Sequence, residues 1–176
     1  MIEGEKVLLC GLTSESFFKT LEWANLPELR LLSGTLYPVS EFEHKLWIEN
    51  KSISSSEKVF LIKEKSSLED IGTIGLRNID WTSRNAELWI KIGNTEYISG
   101  LSKNGMRGYG GDAVKTLCSF CFNSMNLHKI YLHVFESNER AKRCYEKVGF
   151  IIEGTLKEHH FSNGRYENVL VMSRLR

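Results

Sequence analysis

The sequence predicts a single α+β domain, and three features of its apolar residues and glycines support this prediction. Three strand-like runs lie close together at 58–62, 71–76 and 86–92, as in an antiparallel meander. A glycine-rich stretch then opens an apolar run with helical spacing. Strand, helix and hairpin patterns continue to the end of the chain, so the meander is expected to enter a β-α-β-α unit.

The segment before the meander is predicted to hold one strand and two helices. The strand covers 6–12, and the helix after it should end near Pro27. A second helix is predicted to start after Ser40, because Glu43 stands at capping-box spacing from it. The polar stretch 51–56 is interpreted as a loop inside the domain, since the segment after it has no core of its own.

The segment after the glycines alternates between helical and strand patterns. Its helix from about Asp112 to Met125 has a broad apolar face, which indicates packing against a sheet. The remaining elements are a strand at 129–134, a helix at 139–147 and strands at 150–161 and 167–175. The last two strands are predicted to form a hairpin, because Asn163-Gly164 suits a tight turn with positive φ.

Composition limits the classes of partner. With 176 residues, 41% of them hydrophobic, the chain is predicted to form one domain over residues 1–176. The 23 basic and 22 acidic residues leave a net charge of +1, so we expect no generic nucleic-acid binding. No apolar run approaches the roughly 18 residues of a membrane span, and the first residues lack signal-peptide character. A cytoplasmic protein without a membrane partner is therefore expected.

Cysteines and histidines do not form a convincing metal site. The four cysteines lie in apolar stretches and are predicted to be reduced and buried. Cys118 and Cys121 have C-x-x-C spacing, but they fall in mid-helix without a second ligand pair nearby. His159 and His160 are neighbours on a strand, so their side chains should point to opposite faces. No metal is predicted.

The glycine-rich loop is the strongest chemical signal in the chain. Residues Arg107, Gly108, Tyr109, Gly110, Gly111 and Asp112 lead into the helix N-terminus. Such a loop leaves several backbone N–H groups without helical acceptors, and the helix dipole favours negative charge there. The sequence therefore predicts a site for a phosphate-bearing cofactor.

Three other interpretations of this loop are possible. A dinucleotide-binding fingerprint fits its spacing, but residues 93–106 separate the loop from the preceding strand. A P-loop lacks its lysine, because Asp112-Ala113 stands where Gly-Lys-Ser/Thr would be required. A plain helix cap with flexible glycines is the remaining alternative.

A second signal lies on the helix after the next strand. Asn138, Ala141 and Tyr145 recur at positions i, i+3 and i+7, so one helical face presents an amide, a small residue and a phenol. The amide can bind an amide-containing ligand, and the phenol can give a proton to a leaving group. The alternatives are that Asn138 is an N-cap and that Tyr145 is a packing residue.

Together these segments resemble the GNAT superfamily of acetyl-CoA-dependent N-acetyltransferases, in the branch of ribosomal-protein alanine and spermidine acetyltransferases. The resemblance covers nearly the whole chain. It is carried by residues 84–90, 107–113, 138–141, 145–150 and 153–156. It implies a bent and splayed mixed β-sheet of about seven strands flanked by helices, with a wedge between the strands at 87–92 and 129–134.

The same resemblance implies where acetyl-CoA binds. Pantetheine would pair with the backbone of residues 90–92, and pyrophosphate would rest on the loop amides. The implied cofactor-binding set is Ile90, Lys91, Ile92, Arg107, Gly108, Tyr109, Gly110, Gly111, Asp112, Asn138 and Ala141. Acetyl-CoA is thus the expected cosubstrate. The segment 98–106 is an insertion relative to the family, and it is expected to act as a flap or to contribute to the acceptor pocket.

The resemblance also implies two catalytic residues. Tyr145 matches the usual general acid for the departing thiolate, and Glu87 matches a position used as base or amine ligand. Strand alternation places Glu87, Trp89 and Lys91 on one face. The alternative for Glu87 is a surface carboxylate paired with Arg84 or Lys91.

Several acceptors and assemblies fit the sequence. A polyamine, a protein N-terminal amine and an aminoglycoside or amino sugar are all compatible, and a polyamine would want carboxylates. Those available in the helices are Glu22, Glu41, Glu43 and Glu49. The non-enzymatic alternative is a silent acyl-CoA-binding sensor, and a dinucleotide-binding oxidoreductase ranks after it. A homodimer through the apolar residues 169–172 is a further expectation, although these residues also suit a core.

Overall fold

One eight-stranded mixed sheet organises the protein. The computed structural model describes residues 1–33, 37–98, 107–162 and 164–176. The strands are β1 (Ile2–Glu3), β2 (Val7–Cys10), β3 (Lys58–Glu64), β4 (Asp70–Asp80), β5 (Asn85–Ile92), β6 (Lys129–Phe135), β7 (Ile151–Ser162) and β8 (Arg165–Leu175). They lie in the order β1-β2-β3-β4-β5-β6-β8-β7. The α+β class is confirmed, and the short β1 brings the strand count to eight rather than about seven.

Five helices flank the sheet. They are α1 (Phe17–Asn25), α2 (Pro27–Ser33), α3 (Glu41–Ile53), α4 (Tyr109–Asn123) and α5 (Glu139–Lys147). The main core lies between α4 and the sheet, where apolar side chains of β5, β6 and β8 meet the buried face of α4. A smaller cluster lies under α1 and α2 and includes Trp23, Leu29 and Leu61. None of the described helices is long and apolar enough to cross a membrane.

The sheet opens between β5 and β6. These two strands are parallel and pair only where Asn85–Glu87 faces Lys129–Tyr131, whereas every other neighbouring pair is antiparallel. Beyond Glu87, the described part of β5 is paired with β4 alone. The predicted wedge is therefore present, and the β5 backbone that faces β6 is left without a strand partner along it.

Helix boundaries agree with the predicted caps, with two differences. The capping box of α3 is present, since Ser40 Oγ accepts from the Glu43 amide at 3.2 Å and Glu43 Oε2 accepts from the Ser40 amide at 2.8 Å. Helix α1 ends before Pro27 as predicted, but Pro27 starts α2, because proline suits the first helical position. Helix α4 starts at Tyr109, three residues earlier than predicted.

The C-terminal hairpin closes between Ser162 and Arg165, as expected for a two-residue turn. Asn163 itself lies outside the described residues, as do residues 99–106 of the insertion. Val169, Leu170 and Met172 are buried in the core. The apolar pattern that suggested a homodimer interface is therefore explained by burial of β8 side chains within the domain.

Candidate active site

The wedge between β5 and β6 continues into an open cleft of about 1780 Å³. The cleft runs from the N-terminus of α4, past α5, to the side of the sheet covered by α3. It is lined by every predicted site residue except Tyr109. Residues that are far apart in sequence, in β5, α4 and α5, are thus brought to one place.

The N-terminus of α4 forms one end of the cleft. Gly108 precedes the helix with φ of 86°, a left-handed conformation that a side chain would strain, and the Asp112 amide donates the first helical bond to its carbonyl at 2.9 Å. The amides of Tyr109, Gly110 and Gly111 come before that bond, so they are donors at a positive helix end. Basic side chains line the same end: Lys6, Arg107, Lys115, Arg140, Arg143 and Lys147. This end suits a polyphosphate.

The side chains of two loop residues, Tyr109 and Asp112, are used in contacts within the protein. The Tyr109 ring packs edge-on against Tyr97, with ring centroids 5.0 Å apart, so it offers the cleft only its backbone. Asp112 Oδ2 accepts hydrogen bonds from the amides of Lys6 at 2.7 Å and Val7 at 3.1 Å. The Asp112 amide is used by the helix as well. The structure therefore argues against Asp112 as a cofactor ligand. Its carboxylate instead holds the start of β2 against α4.

This role of Asp112 can be tested by stability. Replacing Asp112 with Ala should lower the free energy of unfolding by about 3 kcal/mol, because the buried Val7 amide loses its acceptor. Asp112→Asn keeps one acceptor oxygen and should cost less. Urea denaturation of both variants measures this. A cofactor ligand would instead show unchanged stability with weaker acetyl-CoA binding.

Glycine at the phosphate end leaves room for a ligand. A Cβ built on Gly110 would make only ordinary contacts with Ile92, at 3.7 Å and beyond. Gly110→Val should therefore fold normally, yet fill the cleft and weaken acetyl-CoA binding at least about tenfold, a loss of roughly 1.4 kcal/mol. Calorimetric titration with CoA measures it. The control is Gly11→Val, where a Cβ meets nothing within 4 Å; equal affinities in both variants would remove Gly110 from the site.

Helix α5 presents the predicted amide, small residue and phenol to the cleft. Asn138 is also the N-cap of α5, since its Oδ1 accepts from the Ala141 amide at 3.1 Å. The capping alternative is thus present together with a position in the cleft wall. At the other end, Gly149 has φ of 95°, and the Phe150 amide donates to the Tyr145 carbonyl at 3.0 Å. This left-handed ending holds the Tyr145 backbone in place.

Tyr145 combines packing and exposure to the cleft. Its ring packs against Phe150 at a centroid distance of 5.9 Å and against the main core. Burial raises the pKa of the Tyr145 phenol, so the hydroxyl stays protonated at neutral pH. No hydrogen bond to this hydroxyl is formed by the described residues. A protonated hydroxyl without a protein partner is suited to donate to a ligand.

Glu87 is the centre of a buried polar cluster. Only 4% of it is exposed, and it forms an ion pair with Arg77. Its oxygens also contact Nδ1 of His133 at 2.8 Å and Nδ2 of Asn78 at 3.1 Å. Burial raises the pKa of Glu87, but the bonds with Arg77 and His133 outweigh that effect and lower it overall. The alternative of a surface carboxylate paired with Arg84 or Lys91 is wrong.

His133 is the site residue that sequence reasoning missed. It lies on β6 two residues beyond Tyr131, which is the parallel partner of Glu87, so its ring stands beside the carboxylate on the cleft side. The bond between Nδ1 and Glu87 leaves Nε2 as the second nitrogen of the ring. The available signal was the alternation of Tyr131 and His133 along a strand whose intervening residues are apolar.

The opposite end of the cleft, called here the acceptor end, is walled by α3 and by one face of β4 and β5. Its lining comprises Glu43, His44, Trp47, Lys51, Thr73, Arg77, Glu87, Trp89, Lys91 and His133. Trp47 and Trp89 contact each other edge to face with centroids 6.3 Å apart, and His44 stacks on Trp47 at 5.5 Å. The acceptor end is thus aromatic with a few charged groups.

Metal-ligating residues do not assemble in the part of the chain that the structure describes, where no group of three or more His, Cys, Asp or Glu side chains could hold an ion. Cys118 and Cys121 are buried on α4, and burial raises the pKa of the Cys118 thiol to about 12. Both behave as packing residues, as predicted, whereas Cys10 and Cys144 are only half-buried, so the predicted burial is wrong for these two.

Known proteins share this architecture. Residues 6–151 match the family model described as an acetyltransferase (GNAT) domain. The spermidine N(1)-acetyltransferase of Vibrio cholerae is 32% identical over 132 residues, which are 75% of this chain and 72% of that protein. The Escherichia coli K12 enzyme of the same name is 34% identical over 117 residues, or 66% and 58%.

A solved structure extends the match to the whole fold. The Vibrio cholerae spermidine N-acetyltransferase in complex with CoA and spermine superposes with a TM-score of 0.85 at 26% identity, over 97% of this chain and 95% of that one. The resemblance noted in the sequence is therefore confirmed. The chain belongs to the GNAT acetyltransferase family, and it is an acetyl-CoA-dependent N-acetyltransferase.

Proposed function

We propose that the protein transfers the acetyl group of acetyl-CoA to a primary amine of a small molecule by direct attack in a ternary complex. The observation that supports this most is the open wedge beyond Glu87, which connects a phosphate-binding end with an acceptor end. The Vibrio cholerae relative, solved with CoA and spermine, is an example of two such ligands on this fold. Positioning of both reactants supplies much of the rate in such a complex.

The residues of the wedge and of α4 fit acetyl-CoA. The amides of Tyr109, Gly110 and Gly111, with the basic side chains around them, would hold the pyrophosphate. The unpaired β5 edge at residues 90–92 would hydrogen-bond the pantetheine amides. Asn138 and Ala141 would form the opposite wall. When bound, acetyl-CoA supplies an activated acyl group as a thioester.

The Glu87–His133 pair would remove the amine proton. An alkylammonium ion has a reference pKa of about 10.4, so very little of it is nucleophilic at neutral pH. Glu87 is itself a weak base, because its pKa is lowered by Arg77 and His133. Glu87 therefore orients the His133 ring through Nδ1, and His133 Nε2 takes the proton. This proposal refines the expectation that Glu87 is the base.

Tyr145 would act on the leaving group, the thiolate of CoA. Burial keeps its phenol protonated, and its side chain lines the cleft. It would give its proton to the thiolate as CoA leaves. Base and acid thus come from two different elements, β6 and α5, whose side chains both line the cleft.

The setting of the activity is proposed on chemical grounds. Acetyl-CoA is an intracellular metabolite, which favours a cytoplasmic protein. The proposed steps need only side chains and no metal ion. The near-neutral charge balance favours a small-molecule acceptor over a nucleic acid. A homodimer is still a proposal, but its interface would have to use side chains other than Val169, Leu170 and Met172.

The test is mass-spectrometric detection of acetylated product. The protein is incubated with acetyl-CoA and a panel of polyamines, amino sugars, aminoglycosides and amine-terminated peptides. Acetylation of one class establishes the activity and its acceptor. Calorimetric binding of CoA without product from any class would favour the alternative, a silent acyl-CoA-binding sensor. Mass detection also avoids thiol reagents, which would react with the half-buried Cys10 and Cys144.

A further inference from the structure

Lys91 is a charged residue at the acceptor end whose ammonium group has no counter-charge among the described residues. It lies on β5 on the same face as Glu87 and Trp89, and its side chain is partly buried in the cleft wall. Among the residues that the structure describes, none forms a hydrogen bond or ion pair with its ammonium group. Its charge also disfavours protonation of nearby His44, whose pKa is lowered first by burial and then by Lys91.

The other charged groups of the acceptor end have partners. Arg77 pairs with Glu87, and Lys51 pairs with Glu57. Glu43 accepts hydrogen bonds from the amide and the hydroxyl of Ser40. Among the described charged groups that line the acceptor end, Lys91 is thus the one whose charge has no hydrogen-bond or ion-pair partner.

An uncompensated, partly buried ammonium is costly, and a bound anion would offset the cost. Burial alone lowers the pKa of Lys91, with no counter-charge opposing the effect. Replacing lost water by a carboxylate or phosphate would restore its solvation. A ligand that brings negative charge to this point is therefore favoured, and a second cation is disfavoured.

The spacing along β5 sets how far this anion lies from the reacting amine. Lys91 comes four residues after Glu87, which is roughly 13 Å along an extended strand. The indoles of Trp47 and Trp89 lie between the two ends and offer an apolar surface. Resting on the proposed function, we infer that the acceptor is a primary amine with an anionic group, a carboxylate or a phosphate, on the order of 10 Å from its nitrogen, and that Lys91 binds this group.

The distribution of carboxylates agrees with this inference. A polyamine would need negative charge at the acceptor end, but Glu22, Glu41 and Glu49 do not line the cleft. Glu43 does line it, but its carboxylate is already engaged in capping α3. A second ammonium of a diamine would therefore meet Lys91 rather than a free carboxylate. The charge preference is expected to differ from that of the spermidine acetyltransferases.

The experiment compares amines of equal length and different charge. Octylamine, ω-aminooctanoate, ω-aminooctyl phosphate and octane diamine are supplied separately with saturating acetyl-CoA, and kcat/KM is measured by mass spectrometry. Wild-type enzyme should prefer the anionic amines over the diamine by roughly tenfold or more. The carboxylate and phosphate arms show which anion is favoured. In Lys91→Met the preference for anionic over diamine acceptors should collapse when acetyl-CoA is saturating.

The matched control is Lys45→Met, which removes the same charge from an exposed position of α3 outside the cleft. It should keep the wild-type preference. A wild-type preference for the diamine, or an unchanged ratio in Lys91→Met, would overturn the inference. Failure of the proposed function looks different, since no amine would then be acetylated. In that case calorimetric ranking of the same four amines on the CoA-bound protein still decides the charge preference.

Discussion

Replacing Tyr145 with Phe is expected to lower kcat by about 10²-fold or more, with little change in acetyl-CoA affinity. The change deletes one oxygen and keeps the ring, whose contacts with Phe150 and the core hold the C-terminal end of α5. Because the hydroxyl forms no hydrogen bond with the described residues, its loss should leave stability nearly unchanged. The measurement is steady-state kcat with calorimetric CoA binding and a thermal melt of the same preparation.

A control separates proton donation from packing. Tyr166 is exposed on β8 and does not line the cleft, so Tyr166→Phe removes a phenol of the same type without touching the site. It should behave as wild type. Equal turnover of Tyr145→Phe and wild type would remove the phenol from the mechanism, and the proton would then have to reach the thiolate from water.

Local patterns in the sequence predicted much of the fold. The capping box of α3, the alternation along β5 and the hairpin turn each depend on residues close together in the chain, and each was predicted. The glycine-rich loop at the start of α4 could be recognised for the same reason, because the backbone conformation with positive φ at Gly108 itself favours glycine. The wedge between β5 and β6 was predicted from family resemblance alone. No local sequence pattern indicates that these two strands pair over only three residues.

The features that were missed depend on contacts between elements that are far apart in sequence. Asp112 holds the start of β2 because the backbone amides of Lys6 and Val7, more than 100 residues away in sequence, donate to its carboxylate. His133 became a partner of Glu87 because the parallel register places Tyr131 beside Glu87. The Glu87–His133 pair depends on strand register, which hydrophobic alternation alone does not determine across a crossover.

Glu87→Gln is expected to reduce kcat/KM by about 10²-fold, because the His133 ring loses the carboxylate that orients it. His133→Asn should show a loss of similar size. If the two side chains act as one unit, the double variant should be little worse than His133→Asn alone. The measurement is a full double-mutant cycle on kcat/KM across pH, where the limb that rises with pH should flatten in both single variants.

Stability against pH provides an independent check on the charge of Glu87. Its pKa is lowered in the folded protein, so its ion pairs stabilise the fold above the pKa of an unfolded glutamate, about 4.3, and this contribution disappears as pH falls through the lower folded value. Glu87→Gln should therefore be less stable than wild type at neutral pH, and the difference in free energy of unfolding should shrink in acid.

Two results of the double-mutant cycle would contradict the paired role of Glu87 and His133. They are additive losses of kcat/KM and an unchanged rising limb of the pH–rate profile in His133→Asn. The base would then be Glu87 or a water molecule that it holds.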